Sequence, residues 1–159
     1  MTSSPAQTDQ HSAQKYSAGP AGVRPALRVH QCFEILADRQ PAAPAVISDQ
    51  GVLSYAELDQ KAKGMAHALI AHGVMPEEPV GVLTERSGSL PLAFLAILKA
   101  GGAYVPLGAD LPPPRLASMA TQSGMRFLIA LDGLEPPAEL LTALAGNPQK
   151  TAPAILRPE

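Results

Sequence analysis

Residues Leu98–Pro106, LKAGGAYVP, decide how this chain is read. They close a run of apolar and small residues that starts at Leu90, and they lead into Leu107, Gly108 and a cluster of prolines. A helix that is apolar all round belongs in an interior. The pattern therefore predicts a buried helix ended by Gly101, then a short strand at Tyr104–Val105 that stops at Pro106. Upstream, Val80–Leu83 (VGVL) is an apolar run suited to a strand covered on both faces. Strand, helix and strand at this spacing make a parallel βαβ unit with a right-handed crossover. Ser87 or Ser89 is placed to cap the helix, and Pro91 falls in its first turn, where its missing N–H is tolerated.

The glycines invite a second reading, as a phosphate loop. Such a loop needs glycine ahead of a Lys-Ser/Thr pair at a helix start. Lys99-Ala100-Gly101-Gly102 instead sits at a helix end, where unpaired carbonyls repel phosphate. The expected role is a left-handed cap that lets the helix turn into a strand.

Working towards the N-terminus, Ser54-Tyr55-Ala56-Glu57 has the spacing of a capping box. The helix it opens carries Leu58, Ala62, Met65 and Leu69 on one face and ends at Gly73, with Val74 set for the accompanying apolar contact. Before it lie two short strand candidates, Ala45–Ser48 and Val52–Leu53, around the turn Asp49-Gln50-Gly51. An earlier helix is signalled by Val29, Phe33 and Leu36 on one face, and Pro41 and Pro44 end it. Towards the C-terminus, Pro112–Pro114 open a helix with Leu116, Met119, Ala120 and Ser123 on one face and Gly124 at its end. Phe127–Leu131 (FLIAL) is a further strand, and Pro136-Pro137 open a last helix carrying Leu140, Leu141 and Leu144. The expected fold class is α/β, a mainly parallel sheet with flanking helices, over 27–146. Residues 1–26, rich in Ser, Gln, Ala, Pro and Gly, are expected to be a disordered leader, and 147–159 a loose Pro-rich tail.

The chain has 159 residues, room for one domain. It is 46% hydrophobic but only 4% aromatic, without tryptophan, so its core is built from small and aliphatic side chains. A net charge of −2, scattered along the chain, offers no basic patch for nucleic acid and no basic amphipathic helix for a membrane surface. The apolar runs are about half the ~20 residues that span a bilayer. No secretory signal is visible at the N-terminus, and a single cysteine cannot form an internal disulfide. The expected setting is cytoplasmic.

LSYAELDQKA (Leu53 to Ala62), GVLTERS (Gly81 to Ser87), AILKAGGAYVPL (Ala96 to Leu107) and PPRLASM (Pro113 to Met119) together resemble the N-terminal part of the adenylation domains of nonribosomal peptide synthetases, within the adenylate-forming, AMP-binding superfamily. HQCFEILADRQPAAPAVI (His30 to Ile47) is similar to that family's usual entry into the domain, and the likeness runs over about His30 to Leu131. The resemblance implies an incomplete N-terminal subdomain of the adenylate-forming fold. In a complete domain it implies binding of an amino acid, ATP and Mg, formation of an aminoacyl-adenylate with release of pyrophosphate, and transfer to a carrier-protein thiol. The family's Ser/Thr/Gly-rich phosphate loop, ending in Pro-Lys-Gly, is expected soon after Phe127–Leu131, and no such run follows. Later acidic motifs, the substrate-selecting residues and the C-terminal catalytic lysine are also absent. After Leu107 the family usually has Asp-Pro; here Gly108-Ala109 stand instead and the acid comes at Asp110, which loosens the expected turn.

No catalytic, cofactor-binding or metal-ligating residue is therefore assigned to this chain, and no cofactor is expected for it alone. His67 and His72 lie about 140° apart around a helix and share no face. With His11 and His30 they read as solvated or helix-end histidines. Cys32, beside Phe33, reads as a buried or half-buried structural thiol. Tyr55 and Tyr104 read as packing residues with a polar tip. Glu85-Arg86-Ser87 follow a strand end, where open α/β sheets place ligands, but read first as loop and helix-start residues. The expected roles are two. One is an adenylation-domain fragment, inactive alone, completed by a partner polypeptide or left as a remnant of a larger synthetase. The other is a non-catalytic module that docks on a synthetase or carrier protein. As part of a larger body, the chain is expected to expose an apolar face and its last strand edge.

Overall fold

Alternation along one strand sets the layers. The structure, a computed structural model, describes residues 27–85, 87–146 and 154–156. In β3 (Pro79–Thr84), Val80 and Val82 pack on one side with Leu69, Ala93, Ala96 and Ile97. Leu83 packs on the other side with Leu107, Leu116, Leu128 and Leu140. A strand that is apolar on both faces needs helices on both, and this one has them.

The element order is α1 (Val29–Arg39), β1 (Pro44–Ser48), β2 (Gly51–Ser54), α2 (Tyr55–Ala71), β3, α3 (Leu90–Lys99), β4 (Ala103–Gly108), α4 (Pro113–Ser123), β5 (Phe127–Ala130), α5 (Ala138–Ala145) and β6 (Ala154–Leu156). The main sheet has the order β4-β3-β5-β6, and all three pairings are parallel. β1 and β2 form a separate antiparallel hairpin. Helices α2 and α3 cover one face of the main sheet, α4 and α5 the other. The crossover through α3 moves one way along the sheet, and those through α4 and α5 move the other way on the opposite face. A single hand of crossover requires that arrangement.

The caps follow the sequence closely. Glu57 N–H donates to the Ser54 hydroxyl (3.3 Å) and Ser54 N–H donates back to Glu57 Oε2 (2.8 Å). At the far end of α2, Gly73 has φ +88°, Gly73 N–H donates to the Ile70 carbonyl (2.9 Å) and Val74 N–H to that of Leu69 (3.1 Å). The same motif closes α3. Gly101 has φ +83°, with Gly101 N–H donating to the Leu98 carbonyl (3.2 Å) and Gly102 N–H to that of Ile97 (2.9 Å). The glycines of LKAGG are thus a helix cap that satisfies the last carbonyls of α3.

Several expectations are corrected. β4 does not stop at Pro106 but runs through it to Gly108. Ala103 N–H donates to the Glu78 carbonyl (2.8 Å) and Ala109 N–H to that of Thr84 (2.9 Å), so Ala103 and every second residue after it address β3. Pro106 takes an alternate, outward position on an edge strand, where its missing N–H breaks no ladder bond and blunts the edge. The turn after β4 closes despite Gly108-Ala109: Leu111 N–H donates to the Gly108 carbonyl at 3.0 Å.

The segment expected to be a loose tail contains β6, paired with β5 in the register Phe127↔Ala154 to Ile129↔Leu156. β5 is therefore not a bare edge, and both faces of the main sheet are covered. The remainder of 147–159, and 1–26, lie outside the described residues.

Exposed apolar side chains occur elsewhere, at Val29 (62%) and Leu36 (41%) on α1 and at Ile47 (77%) and Val52 (60%) on the outer face of the hairpin. The face predicted for α1 from Val29, Phe33 and Leu36 is not its inner face. Phe33 turns inward against Tyr55, with ring centroids 5.4 Å apart, and Glu34 pairs with Lys99; Ala37 is the buried residue. This rotation puts Cys32 outside with Val29 and Leu36, so the thiol is exposed rather than structural.

Candidate functional site

The sheet order creates one crevice on general grounds. After β3 the chain leaves for one face through α3; after β5 it leaves for the other through α5. Open α/β sheets place ligands outside the strand ends where this reversal occurs. Here those ends carry Thr84 and Glu85 from β3 and Leu131 and Asp132 from β5, tied by the Leu131 N–H to Leu83 carbonyl bond (3.1 Å).

A cavity of about 320 Å³ opens beside them, lined by Ser48, Gln50, Lys61, Ser89, Leu92 and Asp132, among others. The hairpin tip forms its outer wall and lies directly on the loop before α3. A Cβ added to Gly88 would stand 2.6 Å from Ser48 Cβ, so only glycine lets the two backbones approach. Ser89 occupies the N-cap position of α3 but its own backbone is helical (φ −79°, ψ −17°), so its hydroxyl does not cap the helix. It donates instead to Asp132 Oδ1 at 2.7 Å, across a sequence separation of 43 residues. Asp132 is held at φ +53°, a left-handed conformation that aspartate tolerates better than most residues. Thr84 Oγ1 donates to the Glu85 carbonyl (2.6 Å), Ser87 Oγ accepts from Ser89 N–H (3.3 Å), and Arg86 lies outside the described residues.

Among the described residues, the lining supplies hydroxyls, an amide, one carboxylate and one ammonium, but no histidine, cysteine or second carboxylate. It can hold a polar molecule; it lacks a paired acid and base. No group of three or more His, Cys, Asp or Glu among the described residues could hold a metal ion. The residues around Gly101-Gly102 do not fit a phosphate either, because α3 presents its C-terminal end there and the Lys99 ammonium is engaged elsewhere.

That engagement joins three helices through charge. Lys99 has a side chain 5% exposed; its Nζ contacts Glu34 Oε1 on α1 and, at 2.9 Å, Asp59 Oδ1 on α2. Lys63 Nζ reaches Asp59 Oδ2 at 2.6 Å. Burial alone would raise the Asp59 carboxyl, but the hydrogen bonds and charges of Lys63 and Lys99 outweigh it and hold Asp59 below the usual carboxylate range. Hydrogen bonding to Asp59 raises Lys63 in turn. Sequence reasoning missed this cluster. The i,i+4 spacing of Asp59 and Lys63 was a local signal for one pair; Lys99 lies too far along the chain for any such signal. A second clamp joins Arg126 to Glu78, to the Gly73 carbonyl (2.7 Å) and to the face of Phe127, 4.5 Å from the ring centroid.

The histidines and tyrosines fall as expected where they are described. His67 and His72 are exposed, with His72 Nδ1 2.8 Å from the Ala68 carbonyl at the end of α2. Tyr104 packs edge-on to Phe94 at 5.6 Å, and burial raises its hydroxyl pKa. No helix among the described residues is long and apolar enough to cross a membrane.

The family model of AMP-binding enzymes matches residues 33–157. The chain belongs to the AMP-binding enzyme family. It is 42% identical over 130 residues to a component of the linear gramicidin synthase of Brevibacillus parabrevis, a match covering 79% of this chain and 2% of that protein. To bacitracin synthase 1 of Bacillus licheniformis it is 41% identical over 115 residues, covering 72% of this chain and 2% of the relative. Among solved structures, the nonribosomal peptide synthetase FmoA3 in its AMPPNP-bound form superposes with a TM-score of 0.73 at 28% identity, over 94% of this chain and 15% of that one. The N-terminal subdomain of Klebsiella oxytoca NpsA with 3-hydroxyanthranilyl-AMSN gives a TM-score of 0.60 at 28% identity, over 64% and 26% of the two chains. This chain thus spans about 2% of the synthetases it matches in sequence. Its α/β fold is that of the N-terminal subdomain of nonribosomal peptide synthetase adenylation domains.

Proposed function

We propose that this chain is the N-terminal segment of an amino-acid-activating adenylation domain of nonribosomal peptide synthesis, inactive alone and completed by a polypeptide that carries the phosphate loop. The observation that carries the reading is the family match across residues 33–157. The described residues add the parallel sheet and flanking helices of such a domain as its scaffold. ATP and Mg are bound by the completed domain, not by these residues.

The purified chain should show background ATP–pyrophosphate exchange with any amino acid, and mixing it with a polypeptide carrying the rest of the domain should restore exchange. Exchange by the chain alone at the rate of a complete domain would refute the proposal.

The second reading, a docking module, draws support from the apolar side chains exposed at Val29, Leu36, Ile47 and Val52. With helices on both faces of its sheet, the segment has the makings of a self-standing unit. Co-purification with a synthetase that already has a complete adenylation domain, with no gain in exchange, would favour it.

A further inference from the structure

The lysine of LKAGG is left without a role once the phosphate reading is set aside, and its surroundings supply one. Lys99 stands in the last turn of α3, nearly sealed from water, between Glu34 of α1 and Asp59 of α2. An ammonium buried this deeply stays charged only if its desolvation is offset by close carboxylates.

Helix α1 is otherwise thinly held. Ala37 is its buried residue; Val29, Ile35 and Leu36 face solvent. Phe33 is its main apolar contact, resting on the cluster of Leu58, Ala62 and Leu95. The loop that follows is fastened separately: Ala56 N–H donates to the Pro41 carbonyl and Tyr55 N–H to that of Ala43, both at 3.0 Å. Helix α1 ends at Gln40 in a non-helical conformation (φ −135°, ψ 56°), immediately before that fastening. The helix can therefore swing at Gln40 without unpairing the hairpin.

We propose that Glu34 and Lys99 form a charge latch that closes α1 over the Leu58–Ala62–Leu95 cluster, and that α1 opens independently of the sheet. The latch is selective by construction. With Glu34 replaced by glutamine, Lys99 keeps Asp59, so the tie between α2 and α3 survives and only α1 is freed. Opening bares Phe33 and the cluster beneath it, giving the fold a concealed apolar face controlled by one ion pair. His30, Asp38 and Lys63 are the other titratable groups around the latch: His30 and Asp38 ride on α1, and Lys63 is committed to Asp59.

Hydrogen exchange of the full chain tests this, comparing wild type, Glu34→Gln, Lys99→Met and the double variant. In Glu34→Gln the amides of 33–40 should exchange faster by about twofold to tenfold, while those of β3 and the centre of α2 keep wild-type rates. In the double variant, 33–40 should exchange no faster than in Lys99→Met, because Lys99→Met already breaks the Glu34–Lys99 pair along with the Lys99–Asp59 pair. Wild-type exchange of 33–40 in Glu34→Gln overturns the latch, since packing would then hold the helix. Parallel acceleration of α1, α2 and β3 overturns the independent opening. Additive effects in the double variant overturn the pairing of Glu34 with Lys99 as its cause.

Discussion

Gly81→Ala should destabilise the fold although it adds a single methyl to an apolar strand. Gly81 lies in the centre of β3 and is buried. A Cβ built there would stand 2.5 Å from Met125 Sδ, 3.1 Å from Leu107 Cδ1 and 3.2 Å from Leu128 Cδ1. All three side chains belong to the core between the sheet and α4–α5, and Met125 is 1% exposed, so the thioether can yield only by displacing its packed neighbours. Overpacking of this kind costs about 1–3 kcal/mol. The alanine also restricts the unfolded chain, which offsets about 0.4–1 kcal/mol. The net expectation is a loss of roughly 1–2 kcal/mol, or about 3–6 °C in Tm for a chain of this size.

Urea or thermal unfolding by circular dichroism measures it. Gly64→Ala is the control: Gly64 lies inside α2 with nothing within 4 Å of an added Cβ, and alanine there should stabilise by about 0.5–1 kcal/mol. The clash itself is isolated by Met125→Ala. In that background Gly81→Ala should cost less than about 0.5 kcal/mol, because the new methyl enters the space the thioether left. Wild-type or higher stability of Gly81→Ala would refute the reasoning, as would an undiminished cost in the Met125→Ala background.

Two further outcomes are expected. Ser54→Ala removes the acceptor for Glu57 N–H and should cost about 1 kcal/mol, read from the urea midpoint; an unchanged midpoint would mean that the capping box is dispensable. Asp59 is depressed in the folded state relative to its ordinary value of 3.8, so its stabilising contribution is complete above that value and is lost as pH falls through the lower folded value. Asp59→Asn should therefore weaken the fold at pH 7 by up to about 3 kcal/mol and flatten the decline in stability below pH 4, both visible in urea midpoints taken from pH 7 to 3. A variant with the same acid profile as wild type would remove Asp59 from the account.

What could be read from the chain alone was whatever depends on neighbours in sequence. The capping box at Ser54 and Glu57, the glycine ends of α2 and α3, and the β3–α3–β4 unit all rest on spacings of a few residues or one crossover. The structure repeats them with small changes of boundary. So does the family resemblance, which is carried by ordered local motifs. Helix α1 shows where this stops. Its apolar spacing placed Val29, Phe33 and Leu36 on one face, and of these the structure turns only Phe33 inward. The choice was made by Lys99 and Tyr55, which are distant in sequence and draw Glu34 and Phe33 inward. β6 escaped notice because its three residues, Ala154–Leu156, carry too short a pattern to separate from the surrounding prolines; pairing with β5 defines it. Pro106 read as a stop, and only the sheet order shows that it sits on an edge where a missing N–H does no harm.

The site divides in the same way. Ser87 and Ser89 were legible as helix-start residues, but that Ser89 gives up capping to hold Asp132 depends on β5 lying next to β3. Lys99 within LKAGG was legible as the residue before a helix cap. Its place between two carboxylates was decided by three helices meeting, since buried charge is governed by what surrounds it in space and not by what adjoins it in the chain.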